Sequence, residues 1–565
     1  MRLPYGISDF RKMRTGNYVY LDKTYYIEKL ENYGSEYLFF IRPRRFGKSL
    51  FLSMLAHYYD VMEYDSFESL FDGLYIGQNP TPLRNSYLIL ELDFSGLNTK
   101  GVHDLERSFC IRLKDSINGF IDKYTVYIEE PLALKEHLNE RTEAGAILYL
   151  LIQELRKTNK KMYLIIDEYD HFANDIIAMG EGVFYKEMIH ASGFVRDFYE
   201  TVKIGTKHVI DRIFITGISP IMLDDLTSGF NISTNLTMSA PLNEMMGFTG
   251  DEVMEVIRKT GSGIYEEPLM EELRKNYNGY LFNEDAQNRV YNPNMLLYFF
   301  NEYQMTGHYP KKLIDDNVKT DYGRLQRLIS NEQNRHTLEE IIKNEGITAD
   351  IVSKFSFDRM YDGEYFVSLL FYMGLLTIDR TEKMRLLLKI PNYVIKTVFW
   401  EYVEKRLHNE FQIYPNTEEL RKSIEQMAYQ GEIAPYVRYI GEKVLKPLSN
   451  RDLMHFDEKL IKVLLFTYLM NSRAYKPYSE KESENGYIDI YLERDKSTPD
   501  IKYEWILELK YLKKSEEGRL EEVKRTGLQQ LHKYAASRDF MDKSYIKQAL
   551  LIYIGKDEVI IVQGI

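Results

Sequence analysis

The feature that most constrains this chain is the stretch Ile41-Arg42-Pro43-Arg44-Arg45-Phe46-Gly47-Lys48-Ser49-Leu50 and what flanks it. Before it runs Tyr37-Leu38-Phe39-Phe40-Ile41, short, aromatic and β-prone; after it, apolar residues recur at helical spacing from Leu50 to Tyr59. Strand, tight loop ending in Gly-Lys-Ser, then helix is the setting a phosphate-binding loop requires. A helix start offers unpaired N–H groups and a partial positive charge to a phosphate. In that setting Gly47 lets the backbone approach closely, Lys48 reaches the terminal phosphates and the Ser49 hydroxyl ligates Mg²⁺. The usual pattern is G-x-x-x-x-G-K-[ST], and Arg42 holds its first Gly position. The loop alone therefore fits nucleotide binding and a chance Gly-Lys-Ser about equally.

A second motif tips the balance. Met162-Tyr163-Leu164-Ile165-Ile166-Asp167-Glu168-Tyr169-Asp170 is an apolar run ending in Asp-Glu. After a phosphate loop, such an Asp (Asp167) holds Mg²⁺ through water and such a Glu (Glu168) positions or activates the attacking water. The bland alternative is a buried strand whose acidic end caps the next helix. Thr216, toward the end of the strand-like Arg212–Ser219 run, is either a γ-phosphate sensor or a helix cap.

The acidic balance, −12 at pH 7, argues against a general nucleic-acid coat but leaves room for a local basic groove. The segment Trp505–Leu550 is such an exception, with ten Lys and Arg against seven Asp and Glu. The lone cysteine, Cys110, excludes an intramolecular disulfide and reads as a core residue. The N-terminus lacks the apolar core of a signal peptide, and Val463–Met470, the greasiest run, is too short to span a bilayer. These features lead us to expect a cytoplasmic protein without a membrane anchor.

At 565 residues the chain exceeds one hydrophobic core. Strands alternating with helices across residues 35–235 predict a parallel α/β sheet with helices on both faces. Residues 1–240 are expected to form this domain, 241–430 a helical lid or middle domain, and 431–565 a third. The N-terminal segment, with Tyr20-Leu21-Asp22-Lys23-Thr24, either lines the base and sugar pocket or packs over the sheet edge. In the third domain Asp489 lies on one predicted strand and Glu508 and Lys510 on the next. Side chains alternate along a strand, so Glu508 and Lys510 share a face. Carboxylates so placed bind Mg²⁺, which polarises a phosphodiester, while the ammonium orients or activates water. An ordinary exposed strand face is the competing reading.

Taken together, the chain resembles bacterial proteins that join a predicted AAA-ATPase-like domain to a C-terminal PD-(D/E)XK nuclease-superfamily domain. Leu3-Pro4-Tyr5-Gly6-Ile7, Tyr20–Thr24, Arg42–Leu50, Leu164–Asp170 and Tyr291-Asn292-Pro293 carry the first half of the resemblance. Asp489, Glu508 and Lys510 carry the second, with Glu480 and Gln530 at accessory positions. The missing first Gly is typical of that family; the Pro of the nuclease signature is replaced by Ile488. The resemblance implies ATP and Mg²⁺ as cofactors and DNA as partner. Arg45, Phe46, Gly47, Lys48, Ser49, Leu50, Asp167 and Thr216 are the implied nucleotide contacts. Ser49, Asp167, Glu480, Asp489 and Glu508 are the implied metal residues, and Glu168, Asp489, Glu508 and Lys510 the catalytic ones. The implied function is an ATPase coupled to a Mg²⁺-dependent nuclease, in defence or mobile-element biology. The alternative is a nucleotide-switched protein, homo-oligomeric or not, that binds DNA or protein without cutting. No arginine finger can be assigned from the sequence; several arginines, Arg44, Arg45 and Arg212 among them, are candidates.

Overall fold

In the computed structural model, the described residues are 2–173, 176, 193–221, 230–260, 266–315, 329, 331–355, 363–448, 457–541 and 543–563. The chain folds into two compact units: Met1–Gln304 with Ile314–Leu338 and Gly346–Tyr393, and Met305–Leu313 with Glu339–Glu345 and Val394–Ile565. Of the stretch 241–430, the part up to Tyr393 falls mainly in the first unit and the rest in the second.

The first unit is built on five strands: β1 (Tyr37–Phe39), β2 (Tyr87–Asp93), β3 (Lys161–Asp167), β4 (Ile210–Ile215) and β5 (Thr234–Asn235). They lie in the order β2-β3-β4-β1-β5 and pair in parallel throughout. The β3 residues Met162 to Ile166 are buried without interruption, as a parallel sheet covered on both faces demands. The covering helices are α1 (Lys48–Tyr59), α2 (Val102–Lys123), α3 (Ala144–Leu155) and α4 (Phe194–Thr206). From α1, Tyr59 packs on Tyr87 and Tyr163; Phe109 of α2 and Phe198 of α4 pack on Phe94 and on each other. Adjacent strands β1 and β4 meet side by side although they are far apart in sequence, so the ends of β1, β3 and β4 converge where the loop enters α1.

After the sheet come α5 (Gly250–Lys259), opened by a Thr249–Glu252 capping box, and α6 (Pro293–Thr306). The sequence predicts a helix-rich region here, without a sheet. The structure adds a three-stranded antiparallel sheet: β6 (Gly346–Ala349), β7 (Thr377–Glu382) and β8 (Arg385–Lys389), in the order β6-β8-β7. Lys383 and Met384 join β7 to β8 with φ of 46° and 70°. Both central residues of that tight turn are left-handed, a geometry Asn-Gly usually announces and Lys-Met hides.

The second unit carries α7 (Glu458–Leu469), β9 (Tyr475–Ser483), β10 (Gly486–Arg494), β11 (Glu504–Leu512), α8 (Leu520–Ala535), β12 (Ile546–Ile554) and β13 (Glu558–Gln563). The sheet order is β13-β12-β11-β10-β9; β11 and β12 run parallel, linked by α8, and the other pairs are antiparallel. One core joins Ile506, Leu550 and Ile552 of the sheet to Leu531 and Tyr534 of α8. No helix among the described residues is long and apolar enough to cross a membrane.

Candidate functional site

In the first unit the loop closes on Gly47, whose φ of 91° is left-handed and suits glycine. A Cβ there would meet no atom within 4 Å, so the backbone angle rather than crowding selects the residue. Lys48 is buried, and its Nζ donates to the carbonyls of Arg42 and Pro43, both at 3.0 Å. Burial lowers its pKa, Arg44 pushes the same way, and Asp167 and Glu168 oppose. The ammonium is thus folded onto its own loop, where a phosphate would compete for it.

Arg42 explains the departure from the glycine pattern. It is 1% exposed, and its guanidinium lies 4.1 Å from the centroids of both Phe40 and Phe282. Nη1 donates to the carbonyls of Ile41 (3.0 Å) and Thr237 (2.8 Å), and Nη2 to that of Leu242 (3.2 Å). Burial brings its pKa down to about 9, so it stays charged at neutral pH. Arg42 therefore ties the start of the loop to the segment after β5.

Ser49 Oγ donates to Asp167 Oδ2 at 2.6 Å, which brings the loop and the end of β3 together as expected. Burial raises the Asp167 pKa while Ser49 and Lys48 pull it down. A hydroxyl and a carboxylate in contact beside an ammonium suit a divalent cation with its phosphates, which would take both oxygens. Glu168 has a left-handed φ of 48°, and its Oε2 lies 2.9 Å from Nδ1 of His171. The His171 contact holds the Glu168 carboxyl below its usual range against its burial, with Lys48 and Arg44 helping. The sequence reading missed His171, although a spacing of three puts it one helical turn from Glu168.

Lys48, Ser49, Glu168 and His171 open onto a cavity of about 490 Å³, lined also by the rest of residues 44–51. Its remaining walls come from the N-terminal segment, including Tyr20, Leu21 and Lys23, and from Met245–Phe248 and Leu297. Arg45, Phe46, Gly47, Lys48, Ser49 and Leu50 all line it. Lys23 Nζ pairs with Glu252 at 2.6 Å and bonds to the carbonyl of Glu244 (2.9 Å). Asn292 of the Tyr-Asn-Pro motif caps α6 through Oδ1, and its Nδ2 donates to the carbonyl of Arg44 at 3.3 Å. Thr216 stands apart from the expected sensor position. It is fully buried and outside the cavity lining, and its hydroxyl donates to the carbonyl of Phe40 at 2.6 Å. Arg212 likewise lies off the cavity, its electrostatic neighbours being Tyr59, Tyr87 and Tyr163.

In the second unit β10 and β11 pair through Ile490↔Leu507 and go no further toward Asp489. The strands part there, and Asp489 Oδ2 accepts the Leu509 N–H at 3.0 Å. Lys510 Nζ lies 2.5 Å from Glu508 Oε1 and 3.6 Å from Asp489 Oδ2, so the three predicted residues do converge. Glu508 is fully buried, and its Oε2 has no hydrogen-bond partner among the described residues. Burial, with Asp489 beside it, pushes its carboxyl up to about 7 against the pull of Lys510. Lys510 is itself held above its usual range, the contacts with Glu508 and Asp489 outweighing its burial.

Two residues from α7, unforeseen in the sequence, join this cluster. Glu458 Oε1 accepts the Tyr511 N–H at 2.9 Å, and its pKa is raised by burial, with Asp489 adding and Lys510 opposing. Lys462, one turn on, donates to Ser479 Oγ (2.7 Å) and Glu480 Oε1 (2.9 Å). Glu480 lies in register between Ile488↔Lys481 and Ile490↔Ser479, hence across from Asp489, with a left-handed φ of 50°. Its carboxylate is engaged by Lys462. Gln530 of α8 has a buried Oε1 without a hydrogen-bond partner among the described residues. Among the described residues no three His, Cys, Asp or Glu side chains form a ready metal cage. The orphaned, buried Glu508 Oε2 beside Asp489 nevertheless fits a cation that would displace the Lys510 ammonium.

A phosphate-loop α/β unit and a separate sheet bearing Asp489, Glu508 and Lys510 define a two-part protein. Family models agree: the model described as Predicted AAA-ATPase matches residues 4–227, and that of the PD-(D/E)XK nuclease superfamily matches residues 456–564. The chain joins an AAA-ATPase-like domain to a PD-(D/E)XK nuclease-superfamily domain. An uncharacterized protein in the vnfD 5′ region of Azotobacter chroococcum mcd 1 is 29% identical over 300 residues, 53% of this chain. The match spans about half (52%) of that relative's length. The Walker-type ATPase PABY2304 of Pyrococcus abyssi superposes with a TM-score of 0.40 at 14% identity, covering 71% of this chain and 98% of its own.

Proposed function

We propose that the cavity of the first unit binds ATP with Mg²⁺ and hydrolyses it, and that the site on β10 and β11 cuts DNA with Mg²⁺ under control of that nucleotide. The observation that carries the first half is the contact of Ser49 with Asp167 at a cavity also lined by Lys48 and Glu168. Ser49 and Asp167 would hold the cation, Lys48 and the loop N–H groups the phosphates, and Glu168 the attacking water. In the second half Asp489 and Glu508, with Glu480 as an accessory, would hold Mg²⁺, and Lys510 would orient or activate water. A cytoplasmic role in defence against foreign DNA or in mobile-element biology suits such a fusion.

One observation favours a second reading. Lys510 is held by both carboxylates, and a sheet locked in that state would serve as a DNA- or protein-binding module, switched by nucleotide or by homo-oligomerisation. Incubation of the full chain with plasmid and single-stranded DNA and Mg²⁺ or Mn²⁺ separates the two. Cutting that disappears when Glu508 and Lys510 are both changed to Ala supports the nuclease. ATP binding with no cutting under any condition leaves the switched binder.

A further inference from the structure

Among the arginines the sequence offers as sources of transition-state charge are Arg44, Arg45 and Arg212; their surroundings separate these three. Arg212 is remote from the cavity, among tyrosines. Arg45 lines the cavity but is exposed, and it acts on Tyr5, whose hydroxyl bonds to Asp315, on the side of the N-terminal segment. Arg44 also lines the cavity, is half-buried, and acts on Lys48 and Glu168 together. Its backbone is fixed twice over. Asn292 holds its carbonyl, and Lys48 holds that of the preceding Pro43. Phosphoryl transfer gains from a second cation carried on so fixed a backbone, because the departing γ-phosphoryl group spreads its charge over oxygens that one lysine cannot cover.

We propose that Arg44 is a catalytic residue supplied in cis, its guanidinium held against the γ-phosphate oxygens of ATP bound by the same chain. Water forms the new bond to the γ-phosphorus and its proton passes to Glu168. The electron pair of the breaking P–O bond leaves with the β-phosphate of ADP. Lys48 and Arg44 flank the charge that develops between these events, and a planar guanidinium can pair two oxygens at once where an ammonium cannot. Because the cation belongs to the same chain as the loop, hydrolysis does not need a neighbouring subunit to complete the site.

The inference rests on the reading that this cavity turns ATP over. Steady-state hydrolysis and fluorescent-ATP binding on the full chain, for wild type, Arg44→Ala and Arg44→Lys, test both. We expect Arg44→Ala to lower kcat by about a hundredfold or more, toward the range seen when an arginine finger is lost, with ATP Kd within about threefold. Arg44→Lys should recover less than about a tenth of the rate, since charge without the fork is not enough. Wild-type specific activity should stay constant on about hundredfold dilution, as a cis residue requires. Arg44→Ala with wild-type kcat overturns the assignment alone. So does activity that falls on dilution and returns when Arg44→Ala and Lys48→Ala chains are mixed. If Arg44→Ala fails to bind ATP, full activity in Arg44→Lys likewise overturns it. A wild type that binds ATP without turnover removes the hydrolytic reading, and this assignment with it.

Discussion

The hydroxyl of Ser49 donates to Oδ2 of Asp167 across 2.6 Å, joining the first turn of α1 to the end of β3. Two motifs 118 residues apart thus meet because β1 and β3 both flank β4 in one parallel sheet. Ser49→Ala removes this bond and the oxygen offered to Mg²⁺. Calorimetry should show ATP affinity in Mg²⁺ falling about tenfold, the ~1.5 kcal/mol of a charge-assisted hydrogen bond, toward the value found with EDTA. An unchanged response to Mg²⁺ would place the cation elsewhere.

Arg42 occupies a glycine position, yet restoring the glycine should harm the protein. Arg42→Gly leaves the carbonyls of Ile41, Thr237 and Leu242 without their donor and opens a void between Phe40 and Phe282. The expected cost is about 3 kcal/mol or more. It is read as an earlier denaturant midpoint for the first unit, and a midpoint at or above wild type would refute the strut.

His171 holds the Glu168 pKa down, so its removal has a pH signature. The contact favours the ionised carboxylate, and only that form accepts a proton from water. His171→Ala should raise the Glu168 pKa and move the acidic limb of kcat/KM for ATP to higher pH. A limb that stays in place would mean that another group carries it.

Much of this was legible in the sequence, and the rest was hidden for identifiable reasons. The Gly47-Lys48-Ser49 turn and the Asp167-Glu168 strand end are local patterns, and the apolar runs around them carry the sheet. Asp489, Glu508 and Lys510 were readable because strand alternation puts the last two on one face and β10 pairs with β11. Glu458 and Lys462 were not, since nothing local to α7 tells which strands its side chains will reach. Thr216 misled because a strand-end hydroxyl looks the same in sequence whether it faces a cavity or, as here, the carbonyl of Phe40. Arg42 read as a damaged motif because its partners, Thr237, Leu242 and Phe282, come from segments about 200 residues on.

Glu508 should make the second unit less stable at alkaline pH. Its folded pKa of about 7 lies above the ordinary value of 4.5, so the folded form holds its proton more tightly. Its contribution is fully present below pH 4.5 and is lost as pH rises through about 7. At pH 8, Glu508→Gln should raise the melting temperature without metal and abolish the stabilisation that Mg²⁺ or Mn²⁺ gives wild type. Retention of that metal response would take Glu508 out of the cation site.

The central claim, nucleotide control of cutting, is tested most directly by Mg²⁺-dependent plasmid cleavage with and without ATP, in wild type and Lys48→Ala. The account predicts that ATP changes the wild-type rate by about tenfold or more and leaves Lys48→Ala unchanged, because Lys48 reaches the phosphates. Equal rates in all four reactions would contradict it.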